Sequence, residues 1–189
     1  MTKTDRYVEC SAAGMKYRLI PVTDEIIRCM IAKDEVKTEQ ESLIIEKKEY
    51  PQVPFEAAEA DGAVTVKTSA VQAELNLKTG GITWKHADGS VWLEQNKADL
   101  TRIDVVHYNT GGEKPIINRV KTVNGERNFI QNLKAEKVRD GYRARVFFDW
   151  KEDEEIHGLG QAEEGIYNYR EHTQYLYQHN MRIPMPMFV

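Results

Sequence analysis

The side chains best suited to chemistry crowd into one stretch, His157 to Asn180. It holds three of the five histidines (His157, His172, His179), four tyrosines (Tyr167, Tyr169, Tyr175, Tyr177) and three glycines (Gly158, Gly160, Gly165). Its apolar residues follow no sustained period, which makes it poor material for a core element. Polar, aromatic, glycine-punctuated segments usually run over a surface or line a site. Within it, Tyr177, Gln178, His179 and Asn180 join an aromatic face to amide and imidazole groups. Aromatic faces pack on the C–H surface of a sugar ring, and planar amides and imidazoles exchange hydrogen bonds with its hydroxyls. These four are the candidate substrate-binding residues.

Other constellations carry less. Glu152, Asp153, Glu154 and Glu155 suggest acid–base work, but a glycosidase needs two carboxylates about 5 to 10 Å apart across the scissile bond. Consecutive residues of an extended segment alternate faces and cannot straddle a sugar, so a solvated loop is expected there. His157, His172 and His179 lack the short spacing of zinc ligands and have no cysteine nearby. A sugar epimerase of the mutarotase type would want a His and a Glu flanking the ring as acid and base. His86, His107 and His172 exist, but nothing in the sequence pairs one with a particular glutamate. No catalytic residue, metal ligand or cofactor is assigned. Gly158 and Gly160 are expected to allow a tight, positive-φ backbone, and no Lys-Ser/Thr follows them as in a phosphate loop.

The elements that must position these residues are strands. Met15–Val22 and Glu25–Ala32 read as a hairpin across Thr23-Asp24, and Ser42–Tyr50 as a third strand after a polar loop at Val36–Glu41. Pro51 and Pro54 interrupt any ladder, having no N–H to donate. In Val71–Leu77, Val71, Ala73, Leu75 and Leu77 share one face and Gln72, Glu74 and Asn76 the other, the period of a half-buried strand. Ala63–Thr68 and Ile82–His86 alternate in the same way. Gly80-Gly81 and Asp88-Gly89 mark turns, and Val91–Gln95 is the return strand. Leu100–Tyr108 is another strand, and Asn124-Gly125 a hairpin signal in a poorly patterned region. Asn132–Val138 and Gly141–Trp150 flank an expected turn at Arg139-Asp140-Gly141. Phe147 is an apolar exception on that last strand's polar face. A short helix near Gln161–Tyr167 is the one helical candidate. Strands broken by Gly-containing turns predict an all-β antiparallel sandwich.

The 189 residues suit one domain, and 41% hydrophobic with 30% charged residues is an ordinary globular balance. Net charge is −4 with both signs interspersed, which argues against a nucleic-acid partner. No apolar run reaches the length of a membrane helix. The start lacks the apolar segment of a secretory signal, so the cytoplasm is the expected location. Cys10 and Cys29 form no disulfide framework and are expected as buried free thiols.

One resemblance adds to this. The run from Phe147 to Pro186 contains Phe148-Asp149-Trp150, Asp153-Glu154-Glu155-Ile156, Gly158-Leu159-Gly160-Gln161, Asn168-Tyr169-Arg170 and Tyr177-Gln178-His179-Asn180, followed by Ile183-Pro184. Upstream lie Val64–Thr68, Leu75-Asn76-Leu77, Gly80–Trp84, Asp88-Gly89-Ser90 and Leu93-Glu94-Gln95. This ordered series resembles the end of the N-terminal, galactose-mutarotase-like β-sandwich domain of glycoside hydrolase family 31, which includes α-glucosidases and α-xylosidases. It covers residues 60 to 189 well and the first 60 loosely. The resemblance implies a single sandwich domain over 1–189, with 157–180 as the loop-rich segment facing a catalytic barrel. It implies a parent enzyme that hydrolyses α-glycosidic bonds with retention, through aspartates in a (β/α)₈ barrel beginning after Val189. The fragment itself would be a non-catalytic, inactive support, with an oligosaccharide or α-glycoside meeting it only together with the barrel. Many members carry an N-x-D type sequence in a longer loop where this chain has Gln178-His179-Asn180. Direct substrate contact and a plain domain-interface loop both stay open. The apolar tail Ile183–Val189 reads as the start of a strand. A free-standing carbohydrate-binding module and a mutarotase-type epimerase are the alternatives.

Overall fold

The structure, a computed structural model, describes residues 1–36, 50–178 and 180–189. The expected strand at Ser42–Tyr50 (save Tyr50 itself), most of the expected loop at Val36–Glu41, and His179 lie outside the described residues. The chain divides into two compact units, Met1–Asp149 and Trp150–Val189. Both are built of strands, and the described residues contain no helix.

The first unit opens with β1 (Thr2–Lys3), β2 (Val8–Ala12), β3 (Met15–Thr23) and β4 (Ile26–Ala32), an antiparallel sheet in the order β1-β2-β3-β4. Then come β5 (Glu56–Ala60), β6 (Ala63–Lys67), β7 (Val71–Asn76), β8 (Ile82–His86), β9 (Val91–Asn109), the hairpin β10 (Ile117–Thr122) with β11 (Gly125–Ile130), and β12 (Lys134–Phe148). A six-stranded antiparallel sheet runs β12-β9-β8-β7-β6-β5. The expected all-β antiparallel sandwich is what forms.

Alternation builds it. In β3, Met15, Tyr17 and Leu19 are buried while Lys16 is exposed. Val8, Cys10 and Ala12 of β2 join them, facing Val64, Val66, Ala73, Leu75 and Ile82 of the other sheet. Burying each large aliphatic side chain contributes roughly 1.5–3 kcal/mol. A buried side-chain hydrogen bond crosses this apolar layer. The Tyr17 hydroxyl donates to the Gly80 carbonyl at 3.0 Å. Gly80 sits at φ +72°, and a Cβ there would stand 2.5 Å from the Tyr17 hydroxyl oxygen, so both conformation and space demand glycine.

The structure corrects three expectations. β9 is one strand of 19 residues where two separate strands were expected. β12 runs straight through the expected turn at Arg139-Asp140-Gly141, because β9 offers an unbroken ladder opposite: Asp140 pairs Asp104 and Gly141 pairs Ile103. The misfit is absorbed as a bulge between Lys137 and Arg139. Residues 161–167 form a strand end and turns, with no helix. The Asn124-Gly125 hairpin is present, closing on the pair Thr122–Gly125. Phe147 is partly exposed, with the Lys97 ammonium 4.8 Å above its ring.

Two outcomes check this core. Leu19→Ala is expected to cost about 2–5 kcal/mol in urea denaturation, whereas Val123→Ala, at a fully exposed turn, should stay within about 0.5 kcal/mol. Burial also pushes the Cys29 thiol up from 9.0 to about 12, and the Tyr17 phenol up from 10.0 to about 12. The folded state holds these protons more tightly than the unfolded chain. Its stability is therefore full below pH 9 and falls as pH rises toward 12. Denaturation midpoints measured across that range should drop, and drop less in Cys29→Ala; a flat profile would contradict the burial.

Candidate functional site

The candidate residues lie in the second unit. Its frame is β13 (Gly158–Gln161) paired antiparallel with β14 (Ile183–Phe188). The expected strand in the apolar tail is therefore present as β14. His157 N–H donates to the Val189 carbonyl at 2.9 Å, and Val189 N–H to the His157 carbonyl at 3.1 Å, extending the ladder by one step. Gly158 and Gly160 adopt φ +103° and +94°. A Cβ on Gly160 would run into the Ile183 carbonyl and the Met185 amide, so β14 approaches the Gly-Leu-Gly backbone closer than any side chain allows. The expected positive-φ role of both glycines holds.

The loop between these strands is pinned by Asn168, Tyr169 and Arg170. The Asn168 Oδ1 accepts from Ile156 N–H at 3.1 Å and Arg170 N–H at 3.0 Å. Tyr169 N–H donates to the Ile156 carbonyl at 2.7 Å, and its side chain is buried. Arg170 Nη1 reaches the carbonyls of Lys151 at 2.7 Å and Glu154 at 2.6 Å. Residues that look like a recognition motif in one dimension thus serve as an internal clasp.

His157 belongs to the same clasp. Its Nδ1 lies 3.0 Å from the Tyr167 carbonyl and its Nε2 3.0 Å from the Glu155 carboxylate, with the Tyr167 ring centroid 4.6 Å away. Both ring nitrogens face oxygen acceptors of the protein itself. Glu154 accepts from Lys151 N–H at 2.8 Å, closing a turn on its own acidic run. The acidic run and His157 hold the loop's shape; they do not face one another across an open space. Among the described residues no three His, Cys, Asp or Glu side chains gather as a metal site.

Gln178 and Asn180 come together with Gln161, Glu163 and Arg182 around an open groove of about 690 Å³, with Ala162, Met181 and Ile183 as its apolar part. Arg182 pairs with the Glu164 carboxylate beside it. The pairing of Gln161 with Ile183 is what joins the two ends of the loop here. Tyr177 is exposed and does not line the groove; His179 is not described. Amides beside a charged pair over an apolar floor suit a neutral, hydroxyl-bearing molecule. Sequence reading missed Gln161, Glu163 and Arg182. Their signal lay in two short strands, β13 ending at Gln161 and β14 beginning at Ile183, whose pairing is invisible without the fold.

No family model matches the chain. Among solved structures the chain is similar to a GH31 α-xylosidase from Xanthomonas citri, with TM-score 0.69 and 20% identity over 100% of this chain and 18% of that one. It is also similar to a GH31 α-xylosidase from a soil metagenome, solved in complex with xylose, with TM-score 0.60 and 16% identity over 100% of this chain and 26% of that one. At such identities the likeness establishes the fold. The chain spans about a fifth to a quarter of the length of the structures it matches.

Gly160→Ala should uncouple β13 from β14, seen as faster amide exchange at His157 and Val189. Gly165→Ala, where a Cβ meets nothing within 4 Å despite φ +67°, should leave those two amides protected.

Proposed function

We propose that this chain is the N-terminal β-sandwich domain of a glycoside hydrolase family 31 α-glycosidase, an α-xylosidase or α-glucosidase. The observation that carries the reading is the match of the entire chain to a minor part of two α-xylosidases. It is supported by the ordered run of motifs from Val64 to Pro186. The parent enzyme hydrolyses α-glycosidic bonds with retention, through a covalent glycosyl-aspartate formed on its barrel. This domain supports the barrel and presents the groove of Gln178, Asn180, Gln161 and Arg182 toward the substrate side. The clasp of His157, Asn168 and Arg170 gives that loop a fixed shape, as positioning requires. It takes no cofactor and performs no bond cleavage.

A second reading, a free-standing carbohydrate-binding module, is favoured by one feature. Tyr167, Tyr175 and Tyr177 are 81%, 71% and 59% exposed, as an aromatic sugar platform would be.

The 189-residue chain is expected to give no turnover of p-nitrophenyl α-xyloside or α-glucoside, and no calorimetric heat with xylose or maltose at millimolar concentration. The full-length protein is expected to hydrolyse at least one of the two, with Gln178→Ala and Asn180→Ala raising KM more than they lower kcat. Turnover by the 189-residue chain would overturn the reading; sugar binding by it without turnover would select the module.

A further inference from the structure

Asn124-Gly125 is the one asparagine–glycine step in the chain. It forms the turn of the β10–β11 hairpin, whose ladder closes on Thr122 and Gly125. Every residue of β11 is exposed, as is every residue of β10 except Thr122. Val123, beside Asn124, is fully exposed. Among the described residues the two strands pair only with each other. A two-stranded ribbon with no third strand is marginally stable in water, so its turn opens at little cost.

What surrounds the Asn124 carboxamide decides its chemistry. The side-chain carbonyl carbon of an asparagine can reach the backbone nitrogen of the next residue, closing a five-membered ring. The next residue's side chain is the usual obstruction, and glycine has none. A Cβ built on Gly125 meets nothing within 4 Å, so the peptide plane there has room to turn. Asn118 and Asn128 are exposed on the same hairpin, but Arg119 and Phe129 follow them.

Other asparagine side chains are held in place. Asn76 Oδ1 accepts from the Lys78 and Thr79 amides at 3.0 Å. Asn132 bonds the Ile116 amide at 2.9 Å and the Lys114 carbonyl at 3.0 Å. Asn168 ties Ile156 to Arg170. Among the described residues no hydrogen bond engages the Asn124 side chain. The acid–glycine steps Asp61-Gly62, Asp88-Gly89 and Asp140-Gly141 carry carboxylates, which have no leaving group comparable to ammonia.

We propose that Asn124 is a self-modification site, where the turn converts itself to an isoaspartyl linkage. The Gly125 amide nitrogen gives its proton to hydroxide and attacks Asn124 Cγ. The N–Cγ bond forms, the Cγ–Nδ2 bond breaks, and Nδ2 takes a proton from water and leaves as ammonia. Water then opens the resulting succinimide. Cleavage between the ring nitrogen and the Asn124 main-chain carbonyl carbon leaves the chain running through Cγ, as isoaspartate with a free α-carboxylate. Cleavage at Cγ gives aspartate. The net change is amide plus water to carboxylate plus ammonium, with no oxidation or reduction. The isoaspartyl form inserts Cβ into the main chain. It therefore breaks the Thr122–Gly125 closure, including the 2.7 Å bond from the Thr122 hydroxyl to the Gly125 carbonyl. It also sets a new carboxylate beside Glu126.

Incubating the 189-residue chain in mildly alkaline buffer, then digesting it with trypsin for mass spectrometry, tests this. Cutting after Lys121 and Arg127 releases residues 122–127. That peptide is expected to gain one mass unit and split into two chromatographic peaks. The isoaspartyl peak should accept a methyl group from a protein isoaspartate methyltransferase. Conversion should slow in mildly acidic buffer, because the attacking nitrogen must lose its proton. Asn124→Gln, which would need a six-membered ring, should lose the conversion with an unchanged far-ultraviolet dichroism spectrum. A free peptide of the same sequence sets the reference rate, and the native chain should approach it. Conversion in the native chain ~10-fold or more slower than in that peptide would overturn the proposal. So would an aspartyl product alone, or earlier conversion of Asn118 or Asn128.

Discussion

Everything in the first unit depends on two sheets excluding water from the layer between them, with Tyr17 as the tie across it. Its ring fills the layer, and its hydroxyl reaches through to the Gly80 carbonyl on the far sheet. That bond places the β7–β8 turn against β3 and leaves Gly80 no room for a side chain. Non-directional burial supplies most of the stabilisation, but it does not choose one sliding position of sheet on sheet. A buried directional bond does. Thr68 serves the same end at the opposite turn, donating to the Asp24 carbonyl at 2.5 Å.

The second unit has little apolar interior and relies on backbone contact instead. Two positive-φ glycines let β14 approach β13, and the side chains of His157, Asn168 and Arg170 satisfy carbonyls and amides that a core would otherwise shelter. Such a loop keeps its shape while exposing its aromatic rings and amides. A rigid, polar, aromatic surface is what a polyhydroxyl ligand or an adjoining domain requires. Acid–base chemistry would need carboxylates facing across a gap, and here Glu155 faces its neighbour His157.

Where alternation was strict, the strands were legible: Met15–Val22, Ala63–Thr68 and Val71–Leu77 reappear as β3, β6 and β7. Alternation is a local property, and a half-buried strand cannot avoid it. What failed was set by partners distant in sequence. Arg139-Asp140-Gly141 has turn chemistry, but the ladder of β9 overrode it. β5 follows two prolines and consists entirely of alanine and glutamate; it is a strand because β6 lies beside it. The lining of the candidate groove was legible only in part. Gln178 and Asn180, named as candidates by residue type, line the groove, whereas its other polar residues Gln161, Glu163 and Arg182 are brought there by the β13–β14 pairing. Asn168-Tyr169-Arg170 carried no local signal for its role: the Asn168 and Arg170 side chains are spent on the protein's own backbone.

The central claim is that these strands support a reaction whose covalent step occurs elsewhere in a longer protein. Trapping the full-length protein with a mechanism-based fluoroglycoside of xylose or glucose, followed by peptide mass spectrometry, tests it most directly. The account predicts a single glycosylated aspartate located outside residues 1–189. A label on any residue within that span would contradict it.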